Sequence, residues 1–356
     1  MGAGLSGLSC AITLEQNGIE PFIFEKSSET GDRFVNCEIL LSALSQPIKN
    51  SIRYFSENHN IDLKVQSNIK KLIIHSPNNT AVISGRLGHT NLRGRIKNSF
   101  EKQLQEQIKS KIKFNSKKTY EELLHEYSHV VLATGDAAYA DKISNYDIEL
   151  TVKLKGANIK GNFDINTVHA WLNNDLAPQG YCYLIPISNK KANIVIAYPE
   201  YPQNENTDSN KLWDRFMKEV AKTQDTAHPS FKIYDQFEIS KYIIGICKYP
   251  RIGNTFLVGN NFGSIMPFLG FGQVTALLTG IYAAQDISGE GDYNKLCQPL
   301  KTSFHDSLTL RKTMEKLSND NFDIFIKSLK GRIGRSIFTG NINYLKAISK
   351  LLQPFV

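Results

Sequence analysis

The stretch that decides the fold is "GAGLSGLSCAITLEQNG", residues 2–18. Gly2, Gly4 and Gly7 form the pattern G-x-G-x-x-G, and an apolar helical pattern then runs to Gly18. A pyrophosphate can reach the backbone N–H groups at the start of a helix only where no Cβ holds it away. The stretch therefore predicts a phosphate-binding turn that leads into a helix.

The segment after this helix supports a dinucleotide site. "PFIFEK" predicts a short buried strand that ends at Glu25, eighteen residues after Gly7. A carboxylate at that place can accept hydrogen bonds from an adenosine ribose. A plain glycine-rich turn is the alternative, because a lone G-x-G-x-x-G is weak evidence.

Two more strand ends along the chain carry glycines. "VVLATGDA" places Ala133 and Gly135 after a buried strand, and "FLVGNNFG" places Gly259 and Asn260 after another. One FAD needs three such strand ends, for its adenosine, for its adenine edge, and for its ribityl chain and pyrophosphate. A nicotinamide dehydrogenase needs only the first, so the three together predict FAD.

The pattern of apolar residues along the chain predicts its domains. Period-2 runs such as "ELTVKLKGANIKG" and "ANIVIAYP", a hairpin at "SNKK" and one helix near 209–222 predict an antiparallel sheet. The fold class is therefore α/β, a Rossmann-like split FAD-binding domain with an antiparallel β-sheet substrate lobe and a helical C-terminal tail. The expected boundaries are 1–147 and 251–290 for the split domain, 148–250 for the substrate lobe and 291–356 for the helical region.

Local patterns add three expectations. Residues 38–58 predict a helix that Pro47 divides, and "RIKNSFEKQLQEQIKS" predicts an amphipathic helix headed by Arg95. The uncharged run between Arg251 and Asp286 is long enough to span a bilayer. Its glycines, its proline and the strand-like "TFLVG" favour a buried strand, loop and helix instead.

Composition limits the function classes. The 356 residues carry a formal net charge of +8 and are 41% hydrophobic, which is typical of a globular protein. From Arg311 onward the chain has nine Lys or Arg and only three acids. This excess predicts either a solvated helical surface or a surface that docks on a membrane or an acidic electron carrier. We find no motif of a nucleic-acid-binding fold.

Cysteine and histidine spacing argues against metal and disulfide frameworks. The five cysteines never occur as C-x-x-C, and the eight histidines show no H-x-x-H spacing. We therefore expect no metal site and a location in the reducing cytoplasm, with peripheral membrane association left open.

The three glycine-marked segments together resemble the FAD-binding domain shared by aromatic hydroxylases, flavin halogenases and the geranylgeranyl reductase group. "APQGYCYLIPISNKKANIVIAYP" is similar to the Y-x-W-x-F-P strand and following hairpin of the reductases. The resemblance covers about residues 2–290. It implies a reductase that transfers hydride from reduced FAD to a carbon–carbon double bond of an apolar, isoprenoid-like substrate. The electron donor, NAD(P)H or a ferredoxin, stays open.

The resemblance also implies the site residues. Those expected to bind FAD are Gly2, Gly4, Leu5, Ser6, Gly7, Glu25, Lys26, Arg33, Arg95, Ala133, Gly135, Gly259, Asn260, Pro267, Gly270 and Gly272. The candidates near the reacting atoms are Cys37, Tyr181 and Tyr183, with Tyr181, Tyr183 and Pro186 as the floor of an apolar tunnel.

The sequence departs from the family pattern in ways that keep rivals open. Asn260 stands where the family has Asp, and Tyr183 stands where the reductases have Trp. An FAD monooxygenase, a flavin halogenase using Lys70 or Lys71, and a non-catalytic FAD-binding protein remain alternatives. The family's first strand is also missing before Gly2, so we expect a truncated or misassigned start and weak FAD binding without the upstream segment.

Overall fold

The computed structural model describes residues 1–45, 48–223 and 231–339. Its strands are β1 Ile23–Phe24, β2 Asn36–Leu41, β3 Ser67–His75, β4 Thr80–Arg93, β5 Ile112–Lys113, β6 Val130–Leu132, β7 Tyr146–Lys160, β8 Thr167–Trp171, β9 Tyr181–Ser188, β10 Lys191–Pro199, β11 Lys232–Cys247, β12 Arg251–Ile252 and β13 Thr255–Leu257. Its helices are α1 Leu5–Gln16, α2 Ser51–His59, α3 Phe100–Gln105, α4 Tyr120–Glu126, α5 Ala138–Lys142, α6 Ser209–Lys222, α7 Gln273–Ile287, α8 Tyr293–Met314, α9 Asn319–Ser328 and α10 Arg332–Thr339. The predicted α/β class, with helices near the C-terminus, is confirmed.

One eight-stranded sheet dominates the molecule, in the order β11-β7-β10-β9-β8-β3-β4-β2. Its neighbouring strands run antiparallel except β3 and β8, which are parallel. Strands from residues 36–93 therefore join those from residues 146–247 in a single surface. Along β9 the side chains alternate, so that Cys182 and Leu184 pack under α6 while Tyr181 and Tyr183 face the other side.

Short parallel strands form the core of the nucleotide half. β1 pairs with β5, and β6 pairs with β13. Backbone bonds of Met1 and Gly2 join the two pairs: Met1 donates to the Val131 carbonyl at 2.8 Å, and Gly2 donates to the Phe24 carbonyl at 2.7 Å. These first residues therefore lie between β1 and β6, at the centre of the parallel arrangement.

Helix α1 packs closely on α7. A Cβ added at Gly280 in α7 would lie 2.1 Å from the carbonyl oxygen of Ser6, so only glycine allows this approach. The hydroxyl of Ser9 donates to the Leu277 carbonyl at 3.0 Å. The long apolar run is thus a strand, a loop and a buried helix, as predicted. None of the helices within 1–45, 48–223 and 231–339 has the length and apolar character that a bilayer span requires.

Two local predictions were wrong. Residues 36–41 form strand β2, because they pair antiparallel with β4, and helix α2 starts only at Ser51; Pro47 lies outside the described residues. Helix α3 begins at Phe100 rather than at Arg95, because the Ser99 side chain caps the Lys102 N–H. Long-range pairing and capping overrode the apolar pattern in these two places.

A pair of histidines lies on the face of the sheet that packs toward α6. His75 on β3 and His169 on β8 share a hydrogen bond of 3.1 Å between Nε2 and Nδ1, and both rings stack on Trp171. Burial lowers the pKa of each imidazole to about 4. Both rings are therefore neutral in the folded protein at neutral pH.

This pair should make stability fall in mild acid. Unfolded histidines bind protons near pH 6.5, whereas these two bind them only near pH 4 when folded. The unfolded state therefore gains protons first, and the folded protein should lose stability progressively as the pH falls from about 6.5 to about 4. In thermal melts across this range, His169→Gln should flatten the decline, whereas His125→Gln, at an exposed position, should leave it unchanged. Equal slopes for the two variants would contradict this assignment.

Candidate active site

A single cavity of about 1260 Å³ lies between the eight-stranded sheet and the N-termini of α1 and α7. One part is formed by the glycine turn and the ends of β1, β6 and β13. The other part is apolar and lies against the sheet. The volume exceeds the usual range for a pocket that takes one small ligand, so it has room for two.

The glycine turn forms one wall of this cavity. Gly4 is the residue before α1, no side chain caps the helix, and a Cβ at Gly4 would meet no atom within 4 Å. Gly2 and Gly7 serve packing instead: a Cβ on Gly7 would lie 2.1 Å from the Gly2 carbonyl oxygen, and one on Gly2 would lie 2.1 Å from the Ala133 oxygen. The uncapped N–H groups of α1 thus face open space, which suits a phosphate.

Glu25 lies at the end of β1, beside the turn. Its carboxylate accepts the Ala3 N–H at 2.8 Å and the Ser27 N–H at 2.9 Å, and it also lines the cavity. These two bonds fix the carboxylate where a ribose hydroxyl could approach. Lys26 is exposed and lies 4.0 Å from Asp136.

The third strand end is tied to the second by Asn260. Its amide nitrogen donates to the Gly135 carbonyl at 2.7 Å and to the Tyr242 hydroxyl at 3.1 Å, while its oxygen accepts from Ser264 at 2.9 Å. Gly135 and Gly259 have φ of +82° and +60°, the left-handed region that favours glycine. The Asn260 amide therefore holds the loops together, a use that the sequence did not suggest.

A charge cluster, half-buried at Glu38 and buried at Arg93, lines the cavity. Glu38 on β2 accepts from Arg93 Nη1 at 3.0 Å, from Gln273 at 2.6 Å and from Asn36 at 2.7 Å, and it lies 3.8 Å from Arg33. Burial alone would raise its pKa, but the two arginines and the two amides hold the pKa of Glu38 below its ordinary value. Glu38 is therefore ionised at neutral pH.

Two members of the cluster differ in how tightly they are held. Arg93 also donates from Nε to the buried Glu101 at 2.9 Å, so it bridges two carboxylates. Arg33 is 35% exposed, and its guanidinium lies 4.4 Å above the Phe34 ring. Arg33 lines the cavity, and its Nη2 donates to Asn36 Oδ1 at 3.4 Å.

Helix α7 begins beside this cluster. Gly272 precedes it without a side-chain cap, and Gln273, its first residue, has a buried Oε1 with no hydrogen-bond partner among the described residues. Pro267, Gly270 and Gly272 line the cavity along the loop before the helix.

The apolar part of the cavity includes Tyr181 and Tyr183, whose ring centroids lie 6.2 Å apart. The Tyr181 hydroxyl donates to the Leu269 carbonyl at 2.6 Å, and burial raises the pKa of Tyr181 to about 12. Burial also raises the pKa of Tyr183, whose hydroxyl bonds to no residue in the described part of the chain. The aliphatic and aromatic residues that complete this part are Leu72, Ile74, Val168, Ala170, Leu172, Ile185, Val195, Phe268, Phe271, Met314, Phe325, Leu329 and Phe338.

The structure brings most of the predicted site residues together, with clear exceptions. Arg95 is exposed and lies away from the cavity, and Arg93 takes a place in its wall instead. Cys37 is fully buried in the core, its thiol points to the Pro186 carbonyl at 3.8 Å, and burial raises its pKa. In the apolar wall Ile185, rather than Pro186, follows Tyr183.

Four residues at the centre of the site were missed: Glu38, Arg93, Gln273 and Tyr242. A signal existed for Glu38, because in "NCEIL" the residues at positions 36 and 38 share one face if the segment is a strand. Among the described residues no group of three or more His, Cys, Asp or Glu is arranged to hold a metal ion.

The fold is the one found in a geranylgeranyl reductase-like protein and in flavin-dependent enzymes. Residues 147–230 match the family model of the geranylgeranyl reductase catalytic domain. The predicted resemblance to the geranylgeranyl reductase-like group is confirmed.

Several solved structures share this fold, among them the following three. A geranylgeranyl bacteriochlorophyll reductase-like protein from Thermoplasma acidophilum has a TM-score of 0.73 at 15% identity, over 99% of this chain and 96% of that one. The flavin-dependent brominase Bmp2 has a TM-score of 0.60 at 14% identity, over 99% and 96%. The flavin-dependent monooxygenase PieE, solved with FAD and substrate, has a TM-score of 0.60 at 10% identity, over 98% and 71%.

Removing the bridging arginine should destabilise the fold strongly. Arg93→Met leaves the buried Glu101 without its counter-charge and the half-buried Glu38 with Arg33 alone, which should cost about 3–5 kcal/mol in the free energy of unfolding. Arg95→Met is the matched control, because Arg95 is exposed and such changes stay within about 0.5 kcal/mol. Urea unfolding at neutral pH measures both variants. Similar losses for the two would mean that the buried cluster does not hold these strands together.

Proposed function

We propose that this chain is an FAD-dependent reductase that transfers a hydride to a carbon–carbon double bond of an apolar, isoprenoid-like substrate. The observation that carries the proposal is the single cavity, which joins a nucleotide-type glycine turn to an apolar chamber lined by β9. The match of residues 147–230 to the reductase catalytic domain supports this choice within the fold class.

The residues present fit FAD. The open space beside Gly4 and the uncapped start of α1 would take the pyrophosphate, and Glu25 would take the adenosine ribose. The glycines at positions 135 and 259 would let the backbone pass close to the cofactor. When bound in its reduced form, FAD supplies the hydride.

The chain's own residues would position the substrate and exclude water. Tyr181 is held by the Leu269 carbonyl, so its ring forms a fixed wall. The Tyr183 hydroxyl stays protonated and faces the cavity, where it can hydrogen-bond to a polar end of the substrate or deliver a proton. Glu38 is ionised and therefore cannot donate a proton at neutral pH.

The two enzymatic rivals differ in whether this cavity offers the groups that they need. The lysines considered for a halogenase, Lys70 and Lys71, are exposed and lie outside the cavity. A monooxygenase would use the same cofactor site, so only its use of oxygen separates it from a reductase. NAD(P)H and a ferredoxin remain equal candidates for the electron donor.

Cofactor binding can be separated from folding with two glycine variants. Gly4→Ala should change the free energy of unfolding by less than about 1 kcal/mol, because its Cβ enters open space, yet it should weaken FAD binding at least about tenfold. Gly7→Ala should instead destabilise the protein by about 1–3 kcal/mol, because its Cβ meets the Gly2 carbonyl. Flavin fluorescence titration and urea unfolding measure the two effects. Wild-type FAD affinity in a folded Gly4→Ala protein would refute the cofactor assignment.

The reaction is tested without oxygen. The FAD-loaded protein, reduced with dithionite, should recover its oxidised flavin spectrum when a geranylgeranyl compound is added, and the product should contain one double bond fewer. The fully saturated chain of the same length is the control and should leave the flavin reduced. Reoxidation that requires both substrate and oxygen would establish a monooxygenase, and a flavin that no unsaturated substrate reoxidises would favour the non-catalytic alternative.

A further inference from the structure

Helices α9 and α10 present a basic surface with exposed aliphatic side chains. We define the α9–α10 surface as Ile324, Lys327, Lys330, Arg332, Ile333 and Arg335. Ile324 is 53% exposed and Ile333 is 51% exposed, so both present aliphatic surface to solvent beside these cations. Lys327 shares α9 with Ile324, Arg332 and Arg335 share α10 with Ile333, and Lys330 lies in the turn between the two helices.

The cations of this surface are not neutralised by the rest of the described chain. None of the four is in an ion pair with residues 1–45, 48–223 or 231–339. Lys330 donates only to the Asn79 side chain. Helix α9 carries two acids. The Asp323 carboxylate accepts hydrogen bonds from Ser76 and Asn78, and Asp320 is exposed at the first turn, so two acids stand against four cations. The surface therefore carries a net positive charge toward solvent.

The opposite side of the same two helices faces the cavity. Phe325 of α9, Leu329 and Phe338 of α10 line the apolar part, beside Met314 at the end of α8. One pair of helices thus has a basic outer side with exposed aliphatic residues and an inner side that forms the wall of the apolar chamber.

We infer that the α9–α10 surface docks on an anionic lipid bilayer, from which the apolar substrate enters the cavity. Lysine and arginine attract anionic headgroups, and the two isoleucines can enter the boundary between headgroups and acyl chains. An acidic protein would explain the cations but gives no reason for exposed aliphatic residues among them. The role in substrate entry rests on the proposed function, whereas the docking itself can be tested without it.

The test is vesicle binding by the full-length, FAD-loaded protein. It should sediment with vesicles made of equal parts phosphatidylcholine and phosphatidylglycerol, and not with pure phosphatidylcholine. Salt at about 0.5 M should release it, because the attraction is screened. Arg332→Gln combined with Arg335→Gln should weaken partition about fivefold per cation, and so roughly 25-fold.

Matched variants separate charge from other effects. Lys211→Gln combined with Lys218→Gln removes two cations from α6, which packs on the other face of the sheet, and should leave partition unchanged. Ile333→Ser should lower partition several-fold with no change in charge. Thermal melts confirm that each variant is folded.

Three outcomes would overturn the inference. The first is no binding to anionic vesicles at low salt, and the second is an equal loss in the α6 and α10 double variants. The third is binding to an acidic electron-carrier protein that depends on Arg332 and Arg335, together with no binding to vesicles. Since no substrate is present, failure here leaves the proposed reductase activity intact, and failed turnover leaves the docking result intact.

Discussion

The nucleotide half of this protein depends on backbone approaches that leave no room for a side chain. Gly7 packs against the Gly2 carbonyl, Gly2 against the Ala133 carbonyl, and Gly280 against the Ser6 carbonyl. At each of the three glycines an added Cβ would lie 2.1 Å from the carbonyl oxygen. Together these three glycines let α1 pack closely between the parallel strands and α7. The start of α1 is thereby fixed at the wall of the cavity, with its N–H groups uncapped and Gly4 leaving the space in front of them open. Only after this placement can the distant strand ends meet around one ligand.

The charge cluster at Glu38 allows a polar site to lie directly beside an apolar one. Buried charges are costly unless they are paired and hydrogen-bonded. Here Glu38 is satisfied by Arg93, Gln273 and Asn36, so the ion cluster can border an apolar chamber without an unpaired charge. Because the cluster connects β2, β4 and the start of α7, it also fastens the sheet to the nucleotide half. The side chains that line the cavity beside its apolar part therefore also stabilise the fold.

Local signals in the sequence predicted much of this arrangement. The glycine turn, α1, α6, α7 and the hairpin of β9 and β10 each have strong periodicity or turn chemistry of their own, and each lies where it was predicted. Most failures depended on contacts distant in the chain, whereas the start of α3 was set by the local Ser99 cap. Strand β2 has the composition of a helix and becomes a strand by pairing with β4, which also turns Cys37 into the core and Glu38 toward the cavity. Arg93 lies in the cavity wall, whereas exposed Arg95 lies between the end of β4 and the Ser99 cap of α3.

The close packing of α1 on α7 has a consequence for how the chain acquires its structure. Helix α1 is synthesised well before its partner α7, because some 260 residues separate the two helices in the chain. Nine of the twelve residues of α1 are buried in the folded protein. Until α7 is made, these nine residues lack one of the elements that they pack against. Contacts so distant in sequence slow folding and leave apolar surface exposed during synthesis. The glycine turn and α1 therefore cannot reach their final packing until α7 has been synthesised.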